Sequence, residues 1–230
     1  MTAQSANPPD GAGTGLQILP LGETALYCQV PGAIRLQNQR RIWAFERAIL
    51  GSLGGVETSV GMTNLTVFFD PLVLDPDKLR ERLEELWSNC SPEDLAGETV
   101  QIPVVYGGPG GPDLPFVAHH CALAVDEVVR LHASRIYTVF FIGFLPGFGY
   151  LGELDPRLAT PRRAEPRLRV AAGSVGIGGD QTGIFPLPSP GGWQLIGRAQ
   201  RTLFDPARSP PALLKPGSRV RFVVDKVLPC

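Results

Sequence analysis

Beyond Phe144, glycine and proline divide the chain so finely that no amphipathic helix fits. Proline has no amide hydrogen and clashes with the preceding helical turn, and glycine loses the most conformational freedom on ordering. Of the 230 residues, 27 are glycine and 23 proline, and in the second half they keep every regular segment short. Short strands and turns survive such punctuation, so this half is expected to be a β-barrel or sandwich with long functional loops. Before it, Gly107-Gly108-Pro109-Gly110-Gly111-Pro112 reads as a loop, Val125 to Leu131 as a short helix and Ile136 to Phe144 as a strongly apolar strand.

The first half is patterned differently. Apolar runs around Leu16 to Leu19 and Ala25 to Val30 flank a turn at Gly22. Ile42, Phe45, Ile49 and Leu53 recur at helical spacing, which predicts a helix with one buried face, Arg40, Arg41 and Arg47 in solvent, and a stop at Gly54-Gly55. Val56 to Phe69 suits two strands, with Leu65, Val67 and Phe69 on one face. Asp75 and Pro76 then announce a second helix with the stripe Leu79, Leu83, Leu86 and Trp87. This order of elements, followed by a strand at Val100 to Tyr106, predicts a ferredoxin-like split βαβ sandwich. The chain is thus expected to comprise a disordered tail over 1–15, an α+β N-terminal domain over 16–93 and a β-domain over 94–230.

Size and charge narrow the function. A chain this long buries roughly 70% of its extended surface, enough for a real core. The formal net charge of -1 lacks the basic excess that binding to a phosphate backbone demands, so no nucleic-acid partner is expected. No stretch approaches the roughly 18 apolar residues of a membrane span, and the start lacks the basic and apolar runs of a secretion signal. A cytoplasmic protein without a membrane partner is expected. Cys28, Cys90, Cys121 and Cys230 are too scattered for a redox pair or a zinc set, which predicts reduced, structural thiols, with Cys230 exposed. The three histidines lack helical metal spacing, so no metal site is expected.

A series of long motifs carries a resemblance. Phe144-Leu145-Pro146-Gly147-Phe148-Gly149-Tyr150-Leu151-Gly152 leads into Leu154-Asp155-Pro156-Arg157-Leu158-Ala159-Thr160-Pro161-Arg162-Arg163. Ala172 to Pro186, Ser189-Pro190-Gly191-Gly192-Trp193, Ile196-Gly197-Arg198 and Leu203-Phe204-Asp205-Pro206 follow. Together they resemble the family that holds the 5-oxoprolinase B subunits, allophanate hydrolase subunit 1 and the Kip-type inhibitors of a sporulation histidine kinase. The resemblance implies an α+β N-terminal domain followed by an all-β cyclophilin-like barrel domain, similar to part of biotin-dependent carboxyltransferases. It also implies a component of an ATP-dependent 5-oxoprolinase complex, a hydrolase that opens 5-oxoproline to glutamate, in which the partners are the 5-oxoprolinase A and C subunits. ATP is then used by the complex, and no cofactor is assigned to this chain. The other activity implied is inhibition of a histidine kinase through protein contact.

Several side chains could carry such chemistry. Arg157, Arg162, Arg163, Arg167 and Arg169 share a Pro-punctuated loop where guanidinium groups could hold a carboxylate, or simply form a solvated basic surface. Arg162 and Arg163 are preferred because they lie inside the family motif. The run Gly173 to Gly183 lacks the Walker lysine and the Rossmann spacing, so its glycines read as turns or close approaches. Gln181 and Thr182 in that run offer an amide and a hydroxyl to a small amide or imino acid. Phe148, Tyr150 and Trp193 lie in Gly-rich segments and read equally as pocket walls, an interface or a small core. His119 and His120 have no nucleophile in a recognisable elbow, and Ser174 has no base beside it, so no catalytic residue is assigned.

Overall fold

The computed structural model describes residues 15–93, 95 and 97–229. Nearly all of the expected tail and the expected exposure of Cys230 lie outside the described residues. The chain forms two compact units, one of residues 15–34 with 41–92 and one of residues 35–40 with 93 onward.

In the first unit, strands β1 (Gln17–Pro20), β2 (Ala25–Gln29), β3 (Val56–Val60) and β4 (Asn64–Phe69) form an antiparallel sheet in the order β1-β2-β4-β3. Helices α1 (Leu36–Ser52) and α2 (Pro76–Asn89) supply the other layer of its core. Ile42, Phe45 and Ile49 are fully buried with Leu65, Val67 and Leu83, and Trp87 is buried beside them, as the helical and alternating periods demand. Asp75 caps α2 by accepting from the amides of Asp77 and Lys78 at 3.0 and 3.1 Å. Cys28 is sealed in this core, and burial pushes its thiol up to about 12.

Two expectations are corrected here. Arg41 is not a solvent residue: its guanidinium lies 3.8 Å over the Trp87 ring and donates to the carbonyls of Trp87 and Cys90 at 2.9 and 3.1 Å. Besides the Trp87 carbonyl, which also accepts from Cys90 N–H at 3.1 Å, the last carbonyls of a helix lack partners one turn on, so a cation placed there suits them and the helix dipole together. Second, the strand following α2 does not complete a ferredoxin-like sheet. The edge beside β2 is taken by β1, which the tight turn at Gly22 returns as a local hairpin, with Leu21 N–H donating to the Ala25 carbonyl at 2.9 Å. Closing so short a loop costs less entropy than recruiting a distant strand.

The displaced strand, β5 (Thr99–Gly107), belongs to the second unit, where its residues Ile102, Val104 and Tyr106 are fully buried. With β6 (Ile136–Ile142), β7 (Gly149–Gly152), β9 (Ser174–Gly178), β10 (Gln181–Ile184), β12 (Gln194–Ala199) and β13 (Arg219–Leu228) it closes a barrel in the order β10-β7-β6-β13-β5-β12-β9. A separate two-stranded ribbon pairs β8 (Arg167–Val170) with β11 (Ser189–Gly191). The unit is not all-β. Helix α4 (Val125–Ser134) forms where the sequence predicts it, but α3 (Leu114–His120) forms where the sequence predicts none, and Leu114, Val117, Val128 and Leu131 join the barrel core. Seven residues directly behind a glycine-proline run are too few to display a helical stripe in sequence.

Candidate functional site

Four aromatic rings from separate segments meet over the glycines of β9 and β10, in a cluster separate from the barrel core. Phe148 precedes β7, Tyr150 lies within it, Phe185 follows β10 and Trp193 precedes β12. Phe148 meets Tyr150, Phe185 and Trp193 edge to face, at centroid distances of 4.9, 5.4 and 5.6 Å. Their quadrupoles favour this geometry. The glycine run explains how the rings fit. A Cβ on Gly178 would stand 2.5 Å from Trp193 Nε1, and one on Gly183 would stand 3.1 Å from both Phe148 and Trp193. These glycines are the floor on which the indole lies.

Above the rings opens a cleft of about 250 Å³, walled by Phe144, Arg162 and Pro166 and by the Pro190 to Trp193 segment. Phe144 stands at the rim, 58% exposed, with a left-handed φ of 65° that a bulky side chain rarely adopts. Arg162 reaches over the cleft with its guanidinium carbon 6.0 Å from the Trp193 centroid. Among the described residues no carboxylate pairs with it. Burial raises the Tyr150 phenol, and the nearby Arg162 charge opposes that rise only in part, so Tyr150 stays a neutral donor at physiological pH. Of the seven residues singled out in the sequence, Phe148, Tyr150, Arg162 and Trp193 come together here.

The other three do not line the cleft. Arg163 turns away and donates to Asp113 Oδ1 at 3.4 Å, beside Arg167, which donates to the same oxygen at 2.7 Å. The second oxygen of Asp113 accepts from Leu195 N–H at 2.7 Å, and Asp113 N–H returns a bond to the Leu195 carbonyl at 2.9 Å. Asp113 is buried, so these contacts pin both ends of the 163–167 loop to the barrel. Two further bonds fix the same wall: Arg163 N–H to the Gly192 carbonyl at 2.7 Å, and the Gln194 amide to the Pro161 carbonyl at 2.9 Å. Sequence reading misses Asp113, since a lone aspartate after a glycine-proline run carries no signal. Arg157 is likewise engaged, paired with Asp155 at 2.9 Å, which holds the Asp155 carboxyl well below the usual carboxylate range.

Thr182 is corrected from ligand contact to barrel interior. It is fully buried, its hydroxyl donates to the Gly176 carbonyl at 2.9 Å, and His132 Nε2 lies 2.9 Å away. Because the threonine proton is already committed, His132 must donate from Nε2 and accept at Nδ1 from the Tyr106 hydroxyl, 2.8 Å distant. Tyr137 donates to the His132 carbonyl at 2.8 Å. Desolvation drives the imidazole down to about 3, so it is neutral at physiological pH. His132 carries no signal in the sequence, where it falls just past the short helix read over Val125 to Leu131. Gln181, at the start of β10, is half-buried and does not line the cleft.

This barrel, with its aromatic cleft and basic wall, defines the class: residues 16–214 match the family described as carboxyltransferase domain, subdomain C and D, and the chain belongs to that family. Within the class, it is 51% identical to the 5-oxoprolinase B subunit of Escherichia coli O157:H7, over 90% of this chain and 94% of that one. It is 47% identical to the 5-oxoprolinase B subunit of Haemophilus influenzae, over 92% and 99% of the two chains. Among solved structures, that of TTHA0988 matches with a TM-score of 0.73 at 37% identity, covering 88% of this chain and 40% of that one. This chain thus corresponds to less than half of the TTHA0988 polypeptide. No helix among the described residues is long and apolar enough to cross a membrane.

Proposed function

We propose that this chain is the B subunit of an ATP-dependent 5-oxoprolinase, and that its aromatic cleft holds 5-oxoproline while companion A and C subunits complete the reaction. The observation that carries this reading is an unpaired Arg162 over an aromatic floor, in a cleft where Tyr150 is the only other ionisable lining group among the described residues. 5-Oxoproline is a small ring bearing a carboxylate and a lactam. Its flat apolar face suits Trp193 and Phe185, its carboxylate suits the Arg162 fork, and its lactam oxygen suits a neutral phenol donor such as Tyr150. The described lining offers no carboxylate base and no ionisable group besides Arg162 and the Tyr150 phenol, so the opening of the lactam is assigned to the assembled complex. ATP is consumed by the complex, and no nucleotide contact is assigned to this cleft. The close likeness to named B subunits supports the same reading.

The test is reconstitution with omission. Glutamate release from 5-oxoproline is expected when this chain, its A and C companions and ATP are all present, and to vanish when any one is withheld. No release from a stable three-component assembly would reject the proposal, as would equal release without this chain.

A further inference from the structure

A second concavity, of about 490 Å³, opens where β12 runs into the following loop, and Phe185 lines both it and the aromatic cleft. Exposed Arg198, Arg201 and Thr202 are among its lining residues, which include no carboxylate. Elsewhere in this unit, Arg130, Arg135, Arg157, Arg163, Arg167 and Arg208 each pair with an aspartate or glutamate. Arg198 and Arg201, like Arg162, Arg169 and Arg221, pair with no carboxylate among the described residues, and of these five only Arg198 and Arg201 share one concavity.

The two cations are also seated. Gly110 makes room for the Arg198 stem, since a Cβ there would lie 3.0 Å from Arg198 Cβ, and Gly173 lies within ordinary contact distance of the same side chain. Arg201 donates one N–H to the Gln101 carbonyl at 3.2 Å, which fixes its direction and leaves its other donors open. Two like charges held in one concavity without a counter-ion repel each other, and an anion accepting from both would offset that repulsion.

We infer that this concavity is a binding site for a phosphate group, either free or carried on a nucleotide. A phosphate dianion has the charge and the number of acceptor oxygens to engage two guanidinium forks and a hydroxyl at once, whereas one carboxylate would leave a cation unmatched. The site does not depend on the 5-oxoproline reading, because neither of its arginines lines the aromatic cleft.

Calorimetric titration of the full-length chain with inorganic phosphate, ATP and acetate, at one ionic strength, tests the assignment. Saturable one-to-one binding of phosphate or ATP is expected. Arg198→Ala should weaken it at least tenfold and Arg198→Lys should recover part of the loss, while Lys78→Ala, an exposed cation on α2, should leave it unchanged. Binding of phosphate itself identifies a free anion as sufficient, and binding of ATP alone identifies a nucleotide-borne phosphate. Phenylglyoxal footprinting of the unmutated chain reads the same contact without relying on a folded variant: phosphate or ATP should slow modification of Arg198 and Arg201 but not of Arg162. The assignment is overturned if neither phosphate nor ATP binds, if acetate binds as tightly, if Lys78→Ala weakens binding as much as Arg198→Ala, or if Arg162 is protected equally.

Discussion

His132 shows how much one side chain can commit in this barrel. Its two ring nitrogens join Tyr106 to Thr182 in a directed chain of hydrogen bonds that ends on the Gly176 carbonyl. Its folded pKa is about 3 against an ordinary 6.5, so the unfolded chain takes up a proton that the native state refuses. The stabilisation is therefore complete above pH 6.5 and is lost as pH falls from there towards 3, by roughly 1.4 kcal/mol per pH unit within that window. Urea unfolding of His132→Gln should show a lower stability at pH 7 and a shallower decline between pH 6 and pH 4 than the parent; parallel declines would remove this role. Gly178 commits space in the same way. Gly178→Ala drives a methyl group into Trp193 and should cost about 1–3 kcal/mol of stability while shifting the indole emission, and an unchanged melting temperature would show that the floor can yield.

At the scale of elements, the loop that walls the cleft is held by ion pairs rather than by regular structure. Asp113→Asn keeps the shape of the side chain and the acceptor for Leu195 N–H, but leaves Arg163 and Arg167 without their counter-charge. Both arginines are partly exposed, so water softens the loss to roughly 1–3 kcal/mol. The more telling outcome is local: the 161–166 segment should exchange its amide hydrogens faster in this variant while the barrel strands stay protected, and uniform protection would contradict the clamp. Local periodicity makes α1, α2, β3 and β4 legible, because each shows its buried face within a few residues. Which sheet receives Val100 to Tyr106 is not legible, since partner choice depends on long-range pairing that leaves no trace in one strand's own pattern. Four cleft residues are legible because bulky aromatics and an arginine among glycines signal a shaped surface, whereas Thr182 misleads because a polar residue in a barrel can be satisfied internally.

At the scale of the whole molecule, the aromatic cleft is the feature on which the proposed function rests. The chain offers an aromatic cleft in which Arg162 has no carboxylate partner among the described residues, and the proposed function makes this arginine the holder of the substrate carboxylate. The most direct measurement is steady-state kinetics of the reconstituted complex with Arg162→Ala, with assembly verified by size-exclusion chromatography. A KM for 5-oxoproline raised at least tenfold is expected, in line with losing a charge-assisted hydrogen bond of about 1.5–3 kcal/mol, with the complex intact. An intact complex whose KM and kcat are both unchanged would contradict it.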